Sequence, residues 1–218
     1  MGRTYKWLGG IGYILTLIPY ANLAAQILTA IAWIMMGRDT KQTLFTVTGI
    51  LMIITFAMNI AALGAIFTAI PEIIPGVTRH PTEIPPPEFL KKPLAFAKIF
   101  VPIGVAAAAV GLASLIAEIA SHFRASRIFQ NTWFKVGGWL RIATIIVAVI
   151  AIPIIIFMAM SRAETLKGVP PNMMTKNIFM FMLFTGILWP ILIALILGLL
   201  ATVFSIVAFF TIPEEAEV

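Results

Sequence analysis

Three charged side chains stand inside long apolar stretches of this chain: Lys98, near the start of its stretch and placed to snorkel, and Glu118 and Arg141. An acid or a base surrounded by hydrocarbon is costly, so such groups pair with each other, line a polar path, or reach for the headgroups. Glu118 lies two residues before the end of the stretch 94–120, and Arg141 lies in the opening turns of the stretch 136–160. The connection between them is short, which sets both near the same membrane face. One reading is an intramembrane ion pair. The other is that both side chains snorkel to the headgroups.

Other chemistry-bearing residues are few. His80 and His122 are the two histidines, and in a five-span arrangement they fall in separate loops at opposite faces, which argues against a haem site. No histidine or carboxylate cluster has metal-ligand spacing. No glycine-rich phosphate loop, nucleophile elbow or pair of catalytic carboxylates is present. The chain has no cysteine, which excludes disulfides, thiolate nucleophiles and cysteine–metal sites. No enzyme activity, catalytic centre, cofactor or metal is therefore expected.

The elements that must position Glu118 and Arg141 are set by composition. Hydrophobic residues make up 61% of 218 and charged residues 11%, against about 25% charged in a soluble domain. Five apolar runs, 8–36, 44–70, 94–120, 136–160 and 178–212, each exceed the roughly 20 residues that a helix needs to cross a bilayer. They are too long, and too uniform in polarity, for barrel strands. The expected fold is an all-α, polytopic helical bundle with about five transmembrane helices in a single domain over 1–218, a multi-pass protein of the cell membrane. Arg3 and Lys6 precede Leu8, but the run is too long for a signal peptide and is read as a retained first span.

That first run is interrupted at Leu17-Ile18-Pro19-Tyr20. A single tilted helix kinked at Pro19 is favoured over a re-entrant hairpin turning at Pro19 to Asn22. Residues 71–93 form a proline-rich loop, a spacer on the membrane face or a docking strap for another subunit. Pro153 predicts a kink in the fourth run, and Trp189-Pro190 a bend in the last. The acidic tail at Glu214, Glu215 and Glu217 is expected to be solvated.

Small residues at Gly104, Ala108, Gly111 and Ser114 share one helix face and let another helix approach closely. Packing within this chain is favoured there over a dimer interface. Residues 121–135 interleave cations and aromatics, as a helical extension or interfacial turn. Arg124, Arg127 and Lys135 are candidate headgroup contacts, and the net charge of +6 is read as membrane-facing with no nucleic-acid partner. Leu44-Phe45-Thr46-Val47-Thr48-Gly49-Ile50-Leu51 resembles Trp133-Phe134-Lys135-Val136-Gly137-Gly138-Trp139-Leu140, which fits one helix pair followed by a second. In a five-span topology Arg3, Lys6, Arg79, Lys91, Lys92, Lys98, Arg162, Lys167 and Lys176 lie opposite Arg38, Lys41, Arg124, Arg127, Lys135 and Arg141, a slight lean toward a cytoplasmic N-terminus.

Three segments carry a family resemblance: Leu8-Gly9-Gly10-Ile11-Gly12-Tyr13-Ile14-Leu15, Ile119-Ala120-Ser121-His122-Phe123-Arg124, and Val207-Ala208-Phe209-Phe210-Thr211-Ile212-Pro213. With these the chain resembles a family of mostly archaeal multi-span membrane proteins defined as domain of unknown function 996. The resemblance covers both ends and one junction. It implies a multi-span helical fold and no activity, cofactor or site residue, and the long proline-rich loop departs from it.

The function expected from the sequence is a structural or accessory subunit of a larger membrane assembly. Its expected partners are membrane lipids and other integral membrane subunits, or further copies of itself. The alternative is a small homo-oligomeric transporter or channel for an uncharged or lipidic substrate.

Overall fold

The computed structural model describes residues 4–73, 91–163 and 188–214. Within them the chain forms α1 (Thr4–Leu15), a 3-10 turn (Pro19–Ala21), α2 (Asn22–Asp39), α3 (Thr43–Ile73), α4 (Lys91–Ile128), α5 (Thr132–Ala163) and α6 (Leu188–Phe210). Five segments are long and apolar enough to cross a membrane: Pro19–Asp39, Thr43–Gly64, Val101–Ile128, Thr132–Ile154 and Trp189–Phe210. The protein is an all-helical membrane bundle. Leu63, Val105, Ile150 and Leu195 are exposed on its outside, as lipid-facing walls allow.

The first apolar run is not one kinked span. It is a helical hairpin, with α1 and α2 packed antiparallel. The cause is local. The residue before a proline is pushed out of the helical region, and Ile18 is extended at φ −104°, ψ 113°. Thr16 Oγ1 donates to the Tyr13 carbonyl at 2.6 Å and closes the end of α1. Glycines then let α1 lie close to its neighbours. A Cβ on Gly9 would overlap the Phe209 ring, and one on Gly12 would overlap Thr29.

The helices close a ring in chain order, each packing on the next and α6 returning to α1. Two corners of the ring lie at one end, at residues 40–42 and 129–131. In each, one residue takes a left-handed conformation, Lys41 at φ 54° and Gln130 at φ 50°, which ends a helix and reverses the chain. The chain termini occupy a third corner at that end. Tyr5 OH donates to Asp39 at 3.0 Å, Lys6 lies 3.9 Å from Glu214, and Asn131 Nδ2 donates to Thr211 Oγ1 at 2.9 Å.

The offset that aligns Leu44 with Trp133 also carries Asp39 onto Ile128, Lys41 onto Gln130, and Thr43 onto Thr132. The hairpins α2–α3 and α4–α5 thus share both corner positions and corner geometry. They run in the same direction, each starting at the end of the bundle away from the termini.

This end of the bundle is sealed by a core of Trp33, Met36, Phe45, Phe134, Phe209 and Ile212. Ring centroids of Trp33 and Phe209 are 5.3 Å apart, edge to face, as are those of Phe134 and Phe209. In lipid such contacts act through packing, since water exclusion is already satisfied.

Several sequence expectations are corrected. The hairpin places Lys6 at the same end as Arg38, Lys41, Arg124 and Arg127, which removes the charge asymmetry of the five-span topology. Residues 121–128 continue α4, so His122 is in a helix rather than a loop. The small-residue face does not pack within the chain along its length: among the described residues nothing approaches a Cβ built on Gly104 or Gly111, and Ala108 is exposed, while Ser114 is buried. The reason is length. Gly104 lies fourteen residues before Glu118, roughly 21 Å along the helix, whereas α1 ends two residues past Tyr13, which touches Glu118. The hairpin stops short of the upper part of α4. Pro102 and Pro153 lie within α4 and α5, and α3 runs through Pro71 to Ile73. The rest of the proline-rich loop, His80, most of the loop 161–177, the start of the last run and the end of the acidic tail fall outside the described residues.

Candidate functional site

Glu118 and Arg141 meet in the interior. Arg141 Nη2 lies 2.8 Å from Glu118 Oε1, and the side chains are 10% and 13% exposed, Arg141 the lower. They point into the bundle and do not snorkel. Their helices α4 and α5 are joined through a tight corner, which brings residues near the end of one helix against the start of the next.

Four further residues complete the cluster, of which the sequence reading named only His122 and placed it in a loop. Tyr13 OH donates to Glu118 Oε1 at 2.5 Å and accepts from Trp33 Nε1 at 3.3 Å. The Arg141 guanidinium lies 5.4 Å from the Tyr13 ring centroid, within cation–π range. Arg141 Nη1 donates to Ser205 Oγ at 2.8 Å and to the Ala201 carbonyl at 3.4 Å. His122 Nδ1 lies 2.8 Å from the Glu118 carbonyl. A carbonyl only accepts, so Nδ1 carries a hydrogen. Nε2 faces Ser205 Oγ at 3.0 Å, and Ser205 Oγ in turn donates to the Ala201 carbonyl at 2.8 Å. Helices α1, α2, α4, α5 and α6 thus converge on one connected network. Such a network is costly if any member loses its partner.

One of these four had a signal in the sequence. Ser114, Glu118 and His122 are spaced by four, one face of a helix, and Ser114, Ala117, Ser121, His122 and Ala125 are buried. Tyr13 and Ser205 reach Glu118 and Arg141 from 105 and 64 residues away, which no local pattern reveals.

A cavity of about 430 Å³ adjoins the cluster. Glu118, Arg141 and Tyr13 form its inner end. Gln26 and Thr29 of α2, Met52 and Thr55 of α3, Gly111, Ser114 and Leu115 of α4, and Thr202 of α6 form its walls, and Thr16 and Asn22 stand at the hairpin turn. The internal offset recurs here: it carries Asn22 onto Gly111, Gln26 onto Leu115, Thr29 onto Glu118 and Met52 onto Arg141, and all eight line the cavity. Each hairpin supplies equivalent positions to one shared space.

One acceptor in this lining is unspent, and a second unpaired oxygen is enclosed in the contact between α1 and α2, where a Cβ on Gly12 would lie 2.5 Å from Thr29 Oγ1. Every protein bond to the Glu118 carboxylate falls on Oε1, leaving Oε2 without a protein partner among the described residues. Thr29 Oγ1 is a buried side-chain oxygen with no hydrogen-bond partner, the one such atom among the described residues, although buried polar groups are as a rule paired. Asn59, the polar residue near the middle of the second run, is exposed on α3 and does not line the cavity. Arg124, Arg127 and Lys135 are exposed near the sealed end, with Arg124 Nε donating to Gln42 at 3.1 Å.

A ring of six helices, five of them long and apolar enough to cross a membrane, around a cavity with polar groups in its lining defines a helical membrane bundle with a candidate binding site. No protein family, curated protein or solved structure matches this chain.

Proposed function

We propose that this chain is a membrane-embedded binding protein of the transporter type, taking a small uncharged ligand into the cavity above Glu118 and Arg141. The observation that carries this reading is the open Glu118 Oε2. A pair serving only to hold helices together would spend both carboxylate oxygens on the protein, because an unmet acceptor in a low-dielectric interior is expensive. Two supports accompany it: six helices bring polar residues to the lining of one space, and two helical hairpins of equal direction flank it, an arrangement common among transporters. The cell membrane is its proposed location.

The natural absence of cysteine makes the test direct. With Thr55→Cys in native membranes, a membrane-impermeant maleimide reacts, whereas Asn59→Cys on the outer face of α3 does not. An unreactive Thr55→Cys sinks the reading. Flux into vesicles reconstituted with the purified protein then separates transport from binding alone.

A second reading, an accessory subunit of a larger membrane assembly, is favoured by the uncovered Gly104–Ala108 face of α4. Gentle extraction followed by mass spectrometry of co-migrating chains decides it: stoichiometric larger subunits support an accessory role, and migration alone or as a homo-oligomer removes it.

A further inference from the structure

We infer that the ligand is a single-chain amphiphile with an uncharged, hydroxyl-bearing head, seated head-first on Glu118 with its chain lying along α4. This inference rests on the binding reading above and specifies its substrate class.

The head follows from charge and hydrogen bonding. Glu118 and Arg141 cancel, so the inner end is polar without net charge. A cationic head would meet the guanidinium and an anionic head the carboxylate, each at close range in a poorly screened interior. A hydroxyl meets neither penalty. Its proton suits Glu118 Oε2, which only accepts.

The chain follows from continuity. Gly111 lines the cavity, and one helical turn beyond it the same face of α4 carries Ala108 and then Gly104, with nothing described against either glycine. The two glycines are seven residues apart, roughly 10 Å of helix. This strip is apolar, shallow for want of side chains, and begins where the polar lining ends. A polar pocket continuous with an apolar strip fits a molecule that is polar at one end only. A purely polar solute would leave the strip unexplained, and a second protein helix on the strip would leave Glu118 Oε2 unexplained.

The test uses the full chain in phosphatidylcholine nanodiscs and a monoacylglycerol bearing a diazirine at the end of its acyl chain. On illumination the label is expected in the peptide containing residues 104–111. Excess monoolein should compete at least fivefold better than oleate or glycerol. Ala108→Leu, at an exposed position, should cut labelling at least fivefold. Label spread evenly over the outer helices, indifference to Ala108→Leu, or competition by glycerol equal to that by monoolein overturns the amphiphile. So does a cross-linked dimer through the 104–111 face in place of the label. In each of those cases a reactive Thr55→Cys leaves the cavity reading standing, so the two failures are distinguishable.

Discussion

The hairpins α2–α3 and α4–α5 share a backbone and differ in chemistry. Where the first has Thr29, Trp33 and Met52, the second has Glu118, His122 and Arg141 at the equivalent positions. The corners and the cavity lining recur in both. The charges occur in one. The difference teaches that the charge pair is not what makes such a hairpin fold in this ring, since α2–α3 folds without it. What the pair adds is an asymmetric polar surface at the inner end of the cavity.

The largest expected effect breaks that asymmetry halfway. Arg141→Met gives the second hairpin the first one's residue but strands Glu118 without its guanidinium, and a buried charge that loses its partner costs about 3–5 kcal/mol. Thermal unfolding of the purified protein in detergent should show the loss, and unchanged stability would mean Glu118 is already solvated. The double change Glu118→Thr with Arg141→Met completes the conversion. It should regain most of that stability, because neutral residues replace both ions, while monoacylglycerol competition is abolished. If the double variant is as unstable as the single one, the pair is needed for folding and the comparison fails.

Next in size is the hairpin that the two repeats hold between them. Gly12→Leu drives a side chain into the Thr29 backbone, and overpacking of this kind costs about 1–3 kcal/mol. Gly104→Leu, the same change on the uncovered face, should stay within about 0.5 kcal/mol. Matched melting curves of the two variants test whether α1 is truly docked at the sealed half alone. Asn131→Ala is smaller. Its Oδ1 accepts from the Trp133 backbone N–H at 3.0 Å as the cap of α5, and its Nδ2 holds the Ala208 carbonyl, so about 1 kcal/mol should go. Smallest are Lys41→Gly and Gln130→Gly. Each relieves a left-handed residue at some cost in chain entropy, with a net gain of about 0.5 kcal/mol. Equal gains at the two corners would sharpen the equivalence of the hairpins, and unequal gains would blunt it.

Much of this architecture was legible in the chain. Apolar run lengths define the helices, and the match of Leu44–Leu51 to Trp133–Leu140 marks the repeated corners. Glu118 and Arg141 stand out because the one other charge in their runs, Lys98, lies near a run's start. The hairpin of the first run was harder to see. Proline within an apolar run is compatible with a kink or a break, and only the docking of Gly9 and Gly12 against α6 and α2, a long-range event, selects the break. His122 was misplaced for a related reason: its polar neighbours Ser121 and Arg124 suggest a loop, yet α4 carries them past the apolar run with one face turned inward. Tyr13 and Ser205 could not be foreseen, since a hydroxyl in an apolar run becomes significant only through what the ring brings beside it.

The tight corner at Phe129–Asn131 bears on how the chain enters the membrane in the first place. Glu118 and Arg141 are 23 residues apart and belong to helices joined by three residues. If α4 entered lipid alone it would carry an uncompensated acid, and α5 alone an uncompensated base. Entering as a pair, they deliver a salt bridge of no net charge. The pair is thus the neutral unit to insert, and the corner that joins α4 to α5 defines it.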